Sequence, residues 1–338
     1  MTQPLSTLAQ LRRSVHRREI ILSFGCAAFA APFAVCAQQP QIPVIGFLDT
    51  APATALELTT FYEGLKIEGY VRNQTMAVVY HSAEGDYSRL RSLAADFVNR
   101  RVSLMASIGL PAALAAKNAT TTIPIVFAVE PDPVEVGLIS SLDKPGGNMT
   151  GVTDLATGRE GKRLALLHEA MPTATAFALL VNPGNPAAEA QAQDAFTTAR
   201  KLGLQISIIH ASVEGEFDTA FAALTGSRAA GLVISNDESF IAASAQLAAL
   251  AVHHNVPAIF QGKAFAAAGG LISYGSNLAE TYHQAGVYSG LILKGAAPAD
   301  LPVYQSSRIE FIVNMRTAGS LGIAVPLTML SAANEVIK

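Results

Sequence analysis

From position 42 onward, short unbroken apolar runs alternate with longer stretches whose apolar residues recur at helical spacing. Ile42–Leu48, Met76–His81, Leu104–Ile108 and Ile123–Val129 read as buried strands. Ala53–Gly69, Tyr87–Arg101 and Ala112–Asn118 read as the helices between them. In the second of these, Leu90, Leu93, Ala94, Phe97 and Val98 share one face. Regular alternation of strand and helix predicts a parallel sheet with right-handed crossovers.

The same order returns downstream. Phe177–Val181, Gln205–His210, Gly231–Ser235 and Val256–Phe260 read as strands, and Ala187–Leu202, Phe217–Leu224 and Ile241–His254 as helices. Two stretches echo each other. His81-Ser82-Ala83-Glu84-Gly85-Asp86-Tyr87 and His210-Ala211-Ser212-Val213-Glu214-Gly215-Glu216-Phe217 each end a strand at His and pass an acidic-glycine-acidic turn. Each then opens a helix on an aromatic residue. Ser140–Thr153, with Lys144-Pro145-Gly146-Gly147-Asn148, reads as a turn or crossover. The tail reads as a helix over Leu278–Lys294, a linker over Gly295–Pro302, a strand over Glu310–Asn314 and a helix over Arg316–Leu321. Pro326 begins a last amphipathic segment. The expected organisation is α/β: two similar lobes, 38–155 and 156–276, with 277–338 supplying elements that return to them.

Several apolar runs end in a short polar or glycine step and then a proline: Asp49-Thr50-Ala51-Pro52, Gly109-Leu110-Pro111, Glu130-Pro131-Asp132-Pro133, Asn182-Pro183 and Gly184-Asn185-Pro186. Proline suits the first helical turn, where its missing N–H is not needed. Helix N-termini therefore open beyond strand ends, and in an open α/β sheet that edge is where ligands bind. The junctions fall in both halves, which predicts one site between two lobes. Candidate ligand-binding residues are Asp49, Thr50, Gly109, Leu110, Pro111, Ala128, Glu130, Asp132, Asn182, Asn185, Asn236, Asp237, Gln261 and Tyr274, with Ser276 beside them. Helix N–H groups suit a carboxylate or other anion, and Asp and Glu suit an ammonium. Phe47, Phe127, Phe260 and Tyr274 are candidates for stacking, since the chain has no tryptophan.

Composition narrows the class. The chain has 338 residues, is 50% hydrophobic and 14% charged, and carries net charge −3, with no basic cluster beyond its start. That excludes nucleic acid as an expected partner. Arg12, Arg13, Arg17 and Arg18 precede an uncharged run from Ile20 to Ala37, and Val35-Cys36-Ala37 resembles a signal-peptidase site. A signal peptide over 1–37 is expected, and the loose twin-arginine pattern at His16–Ile21 leaves the export route open. Its removal takes four arginines and Glu19, leaving 19 basic and 25 acidic residues and a net charge of −6. Both cysteines, Cys26 and Cys36, leave with it.

Enzymatic motifs are missing: no G-x-S-x-G elbow, no Walker A loop, no H-E-x-x-H, and no G-x-G-x-x-G after the first strand. His253-His254 has no acidic or Cys partner at metal spacing. No catalytic residue, metal or cofactor is expected. The competing reading is an envelope α/β enzyme using Asp237 and Glu238, or Asp132.

Gly109-Leu110-Pro111-Ala112-Ala113-Leu114-Ala115-Ala116-Lys117, Ile123–Phe127, Asp132–Leu142 and Lys144–Val152 together resemble the tryptophan-binding-protein-like (TrpX-like) family of ABC-transporter substrate-binding proteins. The likeness continues through Asn182–Pro186 and into Ile309–Asn314, Thr317-Ala318 and Leu321-Gly322. It implies a type I periplasmic-binding-protein fold, two flavodoxin-like lobes that close on a ligand by hinge motion. It implies a periplasmic monomer that carries a small organic solute, amino-acid-like or aromatic, to an ABC permease in the inner membrane. Members with a known ligand take aromatic amino acids. The family usually has Gly-Thr-Pro where this chain has Gly109-Leu110-Pro111, so Leu110 removes a hydroxyl able to bond a ligand carboxylate. A ligand-sensing partner of a membrane receptor is a further alternative.

Overall fold

The apolar runs of the first half form β1 (Val44–Asp49), β2 (Ala77–Ser82), β3 (Leu104–Ile108), β4 (Ile125–Val129) and β5 (Met149–Thr153). Those of the second half form β6 (Ala176–Val181), β7 (Gln205–His210), β8 (Leu232–Ile234), β9 (Ala258–Phe260) and β10 (Ile272–Ser276). The tail adds β11 (Tyr304–Gln305), β12 (Ile309–Asn314) and β13 (Glu335–Ile337). These elements belong to a computed structural model that describes residues 42–154, 159–306 and 308–338. The signal segment expected over 1–37 and the lobe boundary expected at 155/156 lie outside the described residues.

Two sheets result. The first runs β2-β1-β3-β4-β5-β11 with every neighbouring pair parallel. The second runs β7-β6-β8-β9-β10-β12-β13, parallel as far as β10 and reversed at β12 and β13. Both begin with the flavodoxin-like strand order 2-1-3-4-5. The two echoed stretches hold equivalent places: each follows the edge strand of its sheet and leads through a 3-10 turn into a helix.

Helices cover both faces. α1 (Ala55–Ile67), α2 (Leu90–Asn99) and α3 (Leu110–Ala119) belong to the first half. α4 (Arg159–Ala170), α5 (Ala188–Leu202), α6 (Phe217–Thr225), α7 (Glu238–Ala242), α8 (Ser244–His253) and α9 (Lys263–Ala267) belong to the second. α10 (Leu278–Leu293), α11 (Met315–Ser320) and α12 (Leu327–Ala332) follow. α5 stops where Gly203 takes a left-handed conformation, which costs glycine little.

α10 follows β10 of the second sheet but packs against α1, over the first. Its Tyr282 stacks on Phe47 of β1 at 6.2 Å, and Phe47 meets Phe61 of α1 edge-on at 4.8 Å. Phe47 and Phe61 are fully buried, each contributing on the order of 1.5–3 kcal/mol. The helices approach closely because glycine stands at the contact. A Cβ on Gly286 would lie 2.1 Å from the Phe61 carbonyl oxygen, and one on Gly64 2.0 Å from that of His283. The chain thus passes between the sheets after β5, after β10 and after β11.

Three expectations need correction. Ser140–Thr153 is not all turn, because Met149–Thr153 is a fully buried strand pairing with β4. Its two threonines and Gly151 hide a strand that burial on both faces enforces. Ile241–His254 is not one helix: the backbone breaks at Ala243, and the first piece begins earlier, at Glu238. Tyr274 and Ser276 lie inside β10, not after a strand. Among the described residues, no helix is long and apolar enough to cross a membrane.

Candidate functional site

The C-terminal ends of both sheets face one another across a cleft, which holds a cavity of about 50 Å³. The first sheet supplies Asp49 from the end of β1, Ile108 from β3, and Ala128 and Glu130 at the end of β4. The second supplies Asn236 and Glu238 beyond β8, Gln261 beyond β9, and Ser276 at the end of β10. α1 adds Glu57, and α10 adds Leu278, Thr281 and Tyr282. The free space is small against the ~300–1,000 Å³ of typical ligand sites. The lobes stand close enough that a solute enters only as they part.

Cap chemistry places the two helical contributors. Thr54 and Glu57 form a reciprocal capping box at the start of α1, with Glu57 Oε2 accepting from the Thr54 N–H at 2.6 Å. Asn277 caps α10 by accepting from the Glu280 N–H at 2.9 Å. Tyr282 then reaches Asp49, donating its hydroxyl proton to Oδ2 at 3.4 Å.

Carboxylates dominate the lining. Asp49, Glu57, Glu130, Asp154 and Glu238 all face the cavity, and among the described residues no Lys, Arg or His does. Two arginines of α4 stand just behind. Arg159 pairs with Glu130 at 3.1 Å and Asp154 at 2.9 Å. Arg163, fully buried, pairs with Glu160 at 2.9 Å and donates to the Tyr274 carbonyl and the Gln261 side chain. Burial, reinforced by the Asp154 carboxylate and opposed by the two arginines, pushes the Glu130 carboxyl up to about 8. Burial, with Glu57 adding, raises Asp49 well above the usual carboxylate range, against the lowering effect of the Ala51 N–H and Tyr282. Burial, then Asp49 and Asp237, raises Glu238 likewise.

The structure brings Asp49, Ala128, Glu130, Asn236 and Gln261 to the cavity wall. Leu110, Pro111, Asn185 and Asp237 line a smaller recess of about 20 Å³ that shares Glu130, Asn236 and Glu238 with it. Gly109 is the N-cap of α3 at φ +86, against Thr50 and Glu238. Thr50 is turned to the backbone and donates to the Ile108 carbonyl at 2.9 Å. Asp132 accepts from the Val134 N–H at 2.8 Å and shapes its own turn. Asn182 donates to both Asp237 oxygens at 3.2 Å. Tyr274 points into the second lobe, packing edge-on against Phe311 at 6.1 Å. None of these five lines the cavity.

Glu57, Asp154, Glu238, Thr281 and Tyr282 line it without having been singled out as ligand-binding residues. Glu238 carried a visible signal, lying directly after Asp237 at a strand end. Thr281 and Tyr282 carried none, because only the return of α10 to the first lobe brings them there.

Direct contacts join the lobes around the cleft. Tyr87 of the first lobe donates to Asp237 Oδ2 of the second at 2.6 Å. A Cβ on Gly109 would lie 2.8 Å from Glu238 Cγ. Among the described residues, no group of three His, Cys, Asp or Glu side chains converges to hold a metal ion.

Known proteins match this arrangement. A family model described as ABC transporter substrate binding protein matches residues 41–337. The tyrosine-binding protein of Clostridioides difficile (strain R20291) is 27% identical over 261 residues, 77% of this chain and 75% of that protein. A crystal structure from Streptococcus pneumoniae, an ABC domain in complex with L-Trp, is 25% identical with TM-score 0.79, covering 87% of this chain and 99% of the other. The ligand-free, open structure of a substrate-binding protein with adhesive properties from Clostridium difficile is 26% identical, covering 88% of this chain and 100% of the other. Its TM-score is only 0.61. At matched identity and coverage, the present arrangement is nearer to the liganded relative than to the open one.

Proposed function

Because the chain belongs to the ABC transporter substrate-binding protein family, we propose that it binds one small organic solute between its lobes and hands it to a membrane permease. The family consists of solute carriers, not enzymes, and the site performs recognition and closure. The observation that carries this reading is the cavity wall itself, built jointly by Asp49, Ala128 and Glu130 of one sheet and Asn236, Glu238 and Gln261 of the other. A solute touching both groups favours the closed form by the contacts it makes only there. Asp and Glu side chains at the wall suit an amino group, so the solute is amino-acid-like or aromatic with an amine. The relatives that bind tyrosine and L-Trp support that class. The proposed place of action is the periplasm, after export by the N-terminal segment, with the protein acting as a monomer beside an inner-membrane permease. Docking of the solute-bound protein onto a membrane receptor instead of a permease is the second outcome to test by pull-down.

The deciding experiment is a thermal-shift screen of amino acids, amines, aromatic acids and nucleosides, followed by solution scattering. A solute at about 100 times its Kd adds roughly 2.7 kcal/mol to stability. Binding is expected at one solute per chain, with a smaller radius of gyration than that of the open form. A screen with no stabilising solute, or a radius unchanged at saturation in a protein shown to be open beforehand, overturns the reading.

A further inference from the structure

Acceptors outnumber donors in the cleft. The five lining carboxylates, less the Arg159 guanidinium behind them, leave a formal charge of −4 at the wall. The lining hydroxyls are already committed as donors. Ser276 donates to Asp154, Thr281 to the Asn277 carbonyl at 3.4 Å, and Tyr282 to Asp49 at 3.4 Å. Gln261 spends its amide group on Asn236. The two arginines able to meet an anion are turned to Glu130, Asp154 and Glu160. An anionic group entering here opposes the ionisation of five carboxyl groups, and side-chain donors other than those groups are few.

Two carboxylates have room for a new partner. Glu238 lies against Gly109 of the opposite lobe, faces both the main cavity and its recess, and among the described residues its side chain has no hydrogen-bond or ion-pair partner. Asp49 is 1% exposed, and its two hydrogen bonds are both long, at 3.4 Å. One carboxylate comes from each lobe, so a cation between them rewards closure. Among the described residues, no three acidic side chains converge on a point that would suit a metal ion.

Resting on the solute-binding reading above, we infer that the cleft takes an organic cation, an amine of net positive charge, in preference to the zwitterionic amino acid or the anionic acid of the same frame. Its ammonium sits between Asp49 and Glu238, donating to both. The proton balance follows. Burial and mutual repulsion among Asp49, Glu57, Glu130, Asp154, Asp237 and Glu238 raise several of these acids, with Arg159 and Arg163 opposing. An arriving ammonium favours their ionised forms, so binding releases protons to solvent.

The test uses two matched series and calorimetry on the full chain. The first is tyramine, L-tyrosine and 4-hydroxyphenylacetate, and the second cadaverine, L-lysine and 6-aminohexanoate. In whichever series binds, affinity is expected to fall with each loss of positive charge, by about tenfold or more per step. Titration at pH 7 in buffers of different ionisation enthalpy is expected to show proton release with the amine. Glu238→Gln is expected to weaken the amine at least tenfold while leaving an acid of the same frame unchanged or slightly tighter. A zwitterion or acid that binds more tightly than its amine overturns the inference and leaves the solute-binding reading intact. So does an amine that binds without releasing protons. Failure of every solute, in these series and in the wider screen, overturns both.

Discussion

Removal of a single hydroxyl, Tyr87→Phe, separates closure from folding. Tyr87 donates to Asp237 across the cleft at 2.6 Å. Asp237 is 1% exposed and keeps donors from its own lobe: Asn185 Nδ2 at 2.8 Å, the Ser239 N–H at 3.0 Å and Asn182 Nδ2 at 3.2 Å. The carboxylate is therefore not orphaned when the phenol is lost. A hydrogen bond to a charged group contributes ~1.5–3 kcal/mol, and the retained donors put this one at the lower end, about 1.5–2 kcal/mol. In the open form both groups are hydrated, so the loss falls on the closed form alone. The closing equilibrium drops by about 10- to 30-fold. Calorimetry with the solute that gives the largest thermal shift should show Kd raised by that factor. Stopped-flow should place the change in the dissociation rate, because encounter occurs in the open form. Urea unfolding without solute should move by less than about 0.5 kcal/mol, since the ring is retained. A Kd altered less than twofold, or a stability loss as large as the binding loss, refutes the reasoning.

Two further outcomes follow from the cleft. Glu130, Asp49 and Glu238 are all raised in the folded state, Glu130 to about 8. The native protein then binds more protons than the unfolded chain, and their contribution is fully present below the ordinary carboxylate range and lost as pH rises through the folded values. Without added solute, the unfolding free energy should fall between pH 5 and pH 8 in urea titrations, and a rise over that window contradicts the charge assignment. Gly109→Ala places a Cβ 2.6 Å from Thr50 Oγ1 and 2.8 Å from Glu238 Cγ, at φ +86. It should cost about 1–3 kcal/mol in chemical denaturation and weaken solute binding as well, and wild-type values for both would show that the lobes do not meet there.

Much of the fold was legible because parallel strands buried on both faces leave unbroken apolar runs, as Leu104–Ile108 and Ile125–Val129 do. β5 was not, since Thr150, Gly151 and Thr153 take their burial from neighbours and not from their own apolarity. The break at Ala243 was hidden because apolar residues continue through it. At the site, residues at or just beyond a strand's end could be found: Asp49, Glu130, Asn236 and Gln261 sit where the strand ends put them. Asp132 and Asn182 share that position in sequence, but local turns and Asp237 claim their side chains. Arg159 and Arg163, in a charged stretch that no sequence signal marked, are buried behind the carboxylates. Their partners, from β4, β9 and β10, are assembled only by the tertiary path.

The route of α10 bears on the order in which this molecule assembles. The bond from Tyr282 to Asp49 spans 233 positions, and Lys294 meets Glu68 across 226. One face of the first lobe is thus sealed by a helix made only after strands β6 to β10 of the second. Loop-closure entropy has to be paid before such distant pairs can form, so folding here is slow and its last steps are non-local. The lobe that leaves the ribosome first has to wait for most of the second before it can finish. Until Leu293 is available, Phe61 and Leu65 of α1 lack their cover, and the nascent chain carries an open apolar flank for chaperones to recognise.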